Sequence, residues 1–311
     1  MLALPHTGMP CCSAARTSLC QTAGTLWKKP SMMPIAVGLR AICNCAVRSP
    51  GIALAVTVRF PSGAFFIFDA GTGIKALSDR IMAEGRPRMR GHIFISHPHW
   101  DHINALPFFA PLYVPGNEFE ILGAAHGNIS VRDLVSEQMD SIYFPVTIRE
   151  FGARVYFREL AEGNADVEGI SVRTKLLNHP GRCLGYRVDY RGRSFCYVTD
   201  HELYPKGHAY YDARYREDLA AWLQGADILV TDTCYSDEEY KTKHGWGHSS
   251  VSEIAELAAA AKVKTLHLFH HDPDQADDDI DAKLAHARQR LRELGSPVQV
   301  LAPAEGQTYQ F

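Results

Sequence analysis

The stretch Ser96-His97-Pro98-His99-Trp100-Asp101-His102 places three imidazoles and a carboxylate within six residues. It follows 92–96, a short apolar run that reads as a strand. Side chains alternate along extended backbone, so His97 and His99 project to the same side. Asp101 and His102 then turn to a second point nearby. Imidazole and carboxylate are the ligands that suit Zn²⁺ and related first-row ions, so this spacing points to metal binding with room for two ions. Three more polar residues end predicted strands: His179 in Leu177-Asn178-His179-Pro180-Gly181, Asp200 after Cys196-Tyr197-Val198-Thr199, and His270 after Leu266-His267-Leu268-Phe269. Each alone is an ordinary strand-end residue. Jointly they would converge on one edge of a sheet.

The elements that must position these residues are legible in the hydrophobic pattern. Strands are predicted at 52–60, 64–68, 92–96, 170–177, 184–190, 193–199, 227–231, 264–269 and 297–301. Pro61-Ser62-Gly63 is a turn between the first two. Helices are predicted at 74–84, 130–140, 212–224, 249–261 and 277–294. Ser249 and Ser250 are N-cap candidates for the fourth helix. The acidic run Asp272, Asp274, Asp277, Asp278, Asp279 and Asp281 suits the start of the last, where the helix dipole favours negative charge. Strands interleaved with helices indicate an α/β arrangement.

Composition narrows the function classes. Lys and Arg number 32 against 35 Asp and Glu, a net charge of −3, which argues against a nucleic-acid binder held by bulk positive charge. No apolar run approaches a membrane-spanning helix, so no membrane partner is expected. Five of the eight cysteines lie in the first 45 residues, and only Cys183, Cys196 and Cys234 follow. That distribution does not suit a disulfide scaffold, and the later three read as buried thiols in a reducing, cytoplasmic compartment. Residues 1–50 are acid-poor and basic, the first acidic residue of the chain being Asp69. They are set apart as an atypical extension, disordered or a misassigned start, with a targeting segment as the other reading. The folded domain is expected over 51–311.

The set His-x-His-x-Asp-His, then His, Asp and His, resembles the metallo-β-lactamase fold superfamily over roughly residues 52–311. The resemblance implies a four-layer αβ/βα sandwich with a dinuclear metal site at the sheet edge. It implies that His97, His99 and His179 bind one divalent ion and Asp101, His102 and His270 a second, with Asp200 bridging both. Zinc is the expected metal, ahead of manganese or iron. His270 is preferred to His271 because it directly follows the strand. Asp69, in Asp69-Ala70-Gly71-Thr72-Gly73, matches the superfamily's first motif and would orient the ligand loop from behind.

Within the superfamily, Gly247-His248-Ser249-Ser250 resembles the ribonuclease Z and cyclic-phosphate phosphodiesterase branch. The resemblance implies that His248, paired with Asp232, protonates the leaving group, while Asp101 and a metal-bridging hydroxide serve the attack. A small cyclic phosphodiester is the expected substrate. No long Gly/Pro-rich insertion of the kind that grips tRNA is present, so nucleic acid is expected to be an unlikely partner. A homodimer is the assembly the resemblance suggests. The strand that usually opens the fold is not evident before Asp69, so it is expected to be missing or replaced. Lys75, Arg182, Arg187 and Lys243 read as solvated charges rather than phosphate contacts, and Phe108, Phe109 and Tyr113 as pocket or core. Two rival functions are a lactone, thioester or carboxylic-ester hydrolase of the same fold, and a metal-binding protein without turnover.

Overall fold

Alternation along the strands decides the layering. The computed structural model describes residues 40–43, 54–85 and 88–311. In chain order the elements are β1 (Arg40–Cys43), β2 (Val56–Arg59), β3 (Phe65–Phe68), α1 (Gly73–Ala83), β4 (Arg90–Phe94), α2 (Trp100–Ile103), β5 (Glu118–Gly123), α3 (Val131–Gln138), β6 (Arg154–Glu159), β7 (Gly163–Val167) and β8 (Ile170–Leu176). There follow β9 (Leu184–Tyr190), β10 (Arg193–Val198), α4 (Ala213–Leu223), β11 (Ile228–Asp232), α5 (Asp237–Tyr240), α6 (Val251–Ala260), β12 (Thr265–Phe269), α7 (Asp277–Glu293), β13 (Gln299–Leu301) and β14 (Gln307–Gln310).

Among the described residues two seven-stranded sheets form, in the orders β14-β1-β2-β3-β4-β5-β6 and β13-β12-β11-β10-β9-β8-β7. In β3, Phe66 and Phe68 face inward and join Tyr186, Phe195 and Tyr197 of the other sheet in a central aromatic core. Phe65 and Ile67 face outward and pack with Ile74, Leu77 and Ile81 of α1. The second sheet repeats the pattern: Cys196 and Val198 face outward, beneath Leu219 of α4, Ile254 of α6 and Leu291 of α7. Strands buried on both faces explain the continuous apolar runs Phe65–Phe68 and Ile228–Val230. The result is an αβ/βα sandwich of four layers, as the resemblance implies.

Strand direction assembles the site. β3 and β4 pair in parallel, as do β10, β11 and β12. β8 is antiparallel to β9, which is antiparallel to β10, so β8 runs with β10. The carboxyl ends of β3 and β4 therefore point one way in their sheet, and those of β8, β10, β11 and β12 one way in theirs. Ligand sites of open α/β sheets form at such ends. The loop after β3 docks under the His97–His102 segment: the Ala70 amide donates to the His102 carbonyl (2.7 Å) and the Gly71 amide to the Leu54 carbonyl (2.8 Å). Gly71 must lack a side chain, because a Cβ there would overlap the Asp101 carbonyl oxygen.

The nine predicted strands and five predicted helices all occur, with ends shifted by a few residues. Ser250 occupies the N-cap of α6 but makes no side-chain cap bond. Ser249 instead donates to the His201 carbonyl (2.7 Å) and accepts from the Leu203 amide (3.0 Å). Strands β5, β6, β7 and β14 were not anticipated. β7 (GNADV) and β14 (QTYQ) have weak strand propensity and are sheet edges, held by pairing with β8 and β1. β1 lies within the segment 1–50 and pairs with both β2 and β14, so a strand does precede Asp69 in this sheet. The rest of residues 1–50, with the extension expected there, falls outside the described residues. Among the described residues no helix is long and apolar enough to cross a membrane.

Cys183, Cys196 and Cys234 are free and buried, and burial pushes the Cys196 thiol up to about 12. Thiol labelling of the native protein at pH 8, mapped by mass spectrometry, is expected to spare these three and to reach them in denaturant. Native-state labelling of any of them would contradict this packing.

Candidate metal centre

The positions singled out in the sequence meet at one point. His97, His99, His179 and Asp200 present ligand atoms that lie within 4.8 Å of one another, and so do those of Asp101, His102, Asp200 and His270. In the first group His97 Nε2 is 2.9 Å from His99 Nδ1, and His179 Nε2 is 3.2 Å from that same nitrogen. Asp200 divides its carboxylate between the groups. Its Oδ2 lies 3.5 Å from His97 Nε2 and 3.7 Å from His179 Nε2. Its Oδ1 lies 3.3 Å from His102 Nε2 and 3.2 Å from His270 Nε2. Asp101 Oδ2 closes the second group, 3.2 Å from His102 Nε2 and 3.3 Å from His270 Nε2.

These residues fit a divalent ion. Ligand bonds of ~2.0–2.1 Å in a tetrahedral shell imply ligand–ligand spacings of about 3.3 Å, close to those found. His102 Nε2 is buried without a hydrogen-bond partner although it faces two carboxylates, an arrangement a cation would satisfy. Burial pushes His97 well below the ordinary imidazole range and lowers His99 and His179, which keeps them in the neutral form that binds metal. Burial opposes ionisation of Asp200, yet the surrounding His270 and His102 outweigh it and hold the carboxyl well below its usual range.

Asp69 stands behind this cluster and is wholly buried. Its Oδ2 accepts from the Tyr197 hydroxyl (2.7 Å) and the Ser96 hydroxyl (2.8 Å), and lies 2.7 Å from His102 Nδ1. Its Oδ1 accepts from the Ser96 amide (2.7 Å). His102 is thereby turned so that Nε2 faces the second group. Asp69 and His270 both adopt positive φ, 60° and 54°, at the point where a strand ends and the chain must turn its side chain into the cluster.

His248 and Asp232 pair beside the second group, with His248 Nδ1 2.8 Å from Asp232 Oδ2. Asp232 is fixed by the Cys234 amide (2.8 Å) and the His201 amide (3.3 Å). The His248 ring stacks on His270 at 4.8 Å between centroids. Burial works against a charged His248, but Asp232 outweighs it and raises the imidazole above its ordinary value. The adjacent His271 turns away from the cluster, its Nδ1 2.8 Å from the Lys283 ammonium.

Three groups went unread in the sequence. Tyr197 supports Asp69, Lys283 holds the loops after β11 and β12, and Glu202 gathers the loop before His248. Each looks like an ordinary core or surface residue in the sequence, because its partners are between 8 and 128 residues away. Arg187 is not a solvated charge: it is buried and donates to the Trp222 and Gln224 carbonyls, 3.0 Å each. Lys75 and Lys243 are paired with Asp79 and Asp272. Phe109 is core, whereas Phe108 is exposed against Phe144.

A family model described as the beta-lactamase superfamily domain matches residues 65–271. A ribonuclease Z of Oceanobacillus iheyensis is 23% identical, the match covering 72% of this chain and 84% of that protein. A ribonuclease Z of Lactococcus lactis subsp. cremoris is 27% identical, with 70% and 82% covered. The metallo-beta-lactamase fold protein YhfI of Bacillus subtilis superposes with a TM-score of 0.63 at 15% identity, over 88% of this chain and 99% of that one. The expectation that nucleic acid is an unlikely partner is overturned, since both relatives are named as ribonucleases. Net charge describes the whole surface, whereas a phosphodiester group has the same chemistry in a small molecule and in a polymer.

Asp69→Asn cannot serve all the donors around it. Metal affinity is expected to fall ~10–100-fold in competition with a chromophoric chelator. Affinity equal to that of the unaltered protein would show that Asp69 does not orient His102.

Proposed function

From the premise that the chain belongs to the metallo-β-lactamase superfamily and is a metal-dependent hydrolase, we propose that it cleaves phosphodiesters, with a small cyclic phosphodiester as the substrate. The hydrogen-bonded His248–Asp232 pair next to the candidate metal centre carries this reading. Breaking a phosphodiester releases an alkoxide, and a positioned proton donor is worth ~10²–10⁴-fold in rate.

In this proposal His97, His99, His179 and Asp200 would hold one ion, and Asp101, His102, His270 and Asp200 a second, zinc being the metal that best suits the imidazole-rich set. When bound, such ions supply Lewis acidity toward a phosphoryl oxygen and toward water. The protein's own residues do the remaining work. His248 gives Nδ1–H to Asp232, which leaves Nε2 to present a proton to the departing oxygen. Asp232 favours the protonated ring and keeps its plane fixed through its bonds to the Cys234 and His201 amides. Asp69 and Ser96 hold the His97–His102 segment against the sheet. A second reading, RNA as substrate, is favoured by the ribonuclease names of the relatives.

Purified protein loaded with Zn²⁺ or Mn²⁺ is expected to hydrolyse bis(p-nitrophenyl) phosphate and to stop when chelator is added. Cleavage of a 2′,3′-cyclic nucleotide in preference to an RNA oligonucleotide would support the small substrate, and the reverse order would replace it with RNA. Turnover of p-nitrophenyl carboxylic esters or lactones alone would refute the phosphodiesterase reading. His99→Ala is expected to lose metal and nearly all turnover. His248→Ala should keep its metal while kcat on a 2′,3′-cyclic nucleotide, whose leaving group is an alkoxide, drops ~10²–10⁴-fold. A His248→Ala rate equal to the parent's on that substrate would remove the proton-donor role.

A further inference from the structure

We propose that Glu202 is a positioning residue that sets His179 and His248 relative to each other, an assignment that rests on the metal-dependent hydrolase reading of the site. Glu202 follows β10 two residues after Asp200 and is 2% exposed. A carboxylate taken out of water requires partners for its lone pairs. Three of the donors to that carboxylate come from one short segment, 240–247. Its Oε1 accepts from the Tyr240 hydroxyl (2.7 Å) and the Gly245 amide (2.8 Å), and its Oε2 from the Gly247 amide (2.9 Å). His248 is the next residue.

The same residue is tied by its backbone to the loop that carries His179. The Glu202 amide donates to the Asn178 carbonyl (2.8 Å), and the Asn178 side-chain amide donates to the Glu202 carbonyl (2.8 Å). The circuit closes through Gly247, whose carbonyl accepts from His179 Nδ1 at 2.8 Å. Gly247 has φ of 86°, and a Cβ on it would overlap His179 Nδ1, so this contact is built for glycine alone. His179 Nε2 is thus aimed at Asp200 by a carbonyl whose own peptide segment Glu202 holds. The carboxylate contributes nothing directly to either ligand group. It acts by fixing three loops, those after β8 and β10 and the one before α6, in one register.

Glu202→Gln tests this with little change of shape. Whichever way the amide turns, its NH₂ meets an N–H or O–H donor, so at least one of the three bonds is lost. The full-length protein, loaded with Zn²⁺, is titrated with a chromophoric chelator at a temperature where parent and variant are both folded. Retention of zinc is expected to weaken ~10–100-fold, and kcat on bis(p-nitrophenyl) phosphate to fall with KM changed less than about twofold. A folded Glu202→Gln with parental zinc retention and kcat overturns the proposal. If Glu202→Gln does not fold, Tyr240→Phe removes one donor and leaves both amide bonds. Zinc retention weakened about threefold or more would then support the role, and unchanged retention would overturn it. Chelator competition needs no substrate. A parent protein that cleaves no phosphodiester, with a variant that still loses zinc, would refute the phosphodiesterase reading and leave the positioning role standing.

Discussion

The buried Asp200 carboxylate is the constraint on which the rest of the site depends. It is 2% exposed and makes close contacts to four imidazoles, two on each oxygen. Burying that many titratable groups at a sheet edge is unfavourable unless each is paired or holds a cation. The fold answers by surrounding the cluster with fixed donors and acceptors. Thr199 donates to Asp200 Oδ1 (2.7 Å), Ser96 and Tyr197 donate to Asp69, and the Gly247 carbonyl accepts from His179. None of these groups needs to rearrange for the ligand atoms to face a common centre, which is the preorganisation a metal site requires.

A second support lies on the outer side of the second sheet. Lys283 of α7 is 3% exposed and is lowered to about 8 by burial. Its ammonium donates to the Thr233 carbonyl (2.8 Å), the Cys234 carbonyl (3.1 Å) and Gln275 Oε1 (2.5 Å). The first two follow Asp232 directly, and His271, which it also meets, follows His270. One buried cation therefore ties together the strand ends that carry Asp232 and one candidate ligand, His270. Both clamps, Lys283 from outside and Glu202 from within the loops, act on backbone that would otherwise be free to move at the ends of strands.

Phosphodiester chemistry at such a site does not by itself select a small or a large substrate. The reacting group sees His248, Asp232 and the candidate ligands, while the remainder of the substrate meets loops. Exposed Trp100, Trp246 and Phe108 are large apolar side chains within, or a few residues beyond, the two motif segments.

Local sequence was enough to anticipate the long apolar strands, the five longer helices and seven ligand-type residues, four within 97–102 and three at predicted strand ends. Those signals are local: periodicity for the elements, and for the ligands an imidazole and carboxylate spacing within six residues at 97–102. Asp69, Asp232 and His248 stood out through the resemblance of their short motifs to the superfamily. Tertiary structure alone decided the rest. Edge strands such as β7 and β14 exist only because a neighbour pairs with them, so their own propensity does not announce them. The division of Asp200 between two groups needs strands from both sheets at one edge. Tyr197, Glu202 and Lys283 act on partners as far as 128, 45 and 50 residues away. A hydrogen bond across such a distance depends on where the chain returns, and that is set by packing of the whole sandwich rather than by any stretch of residues.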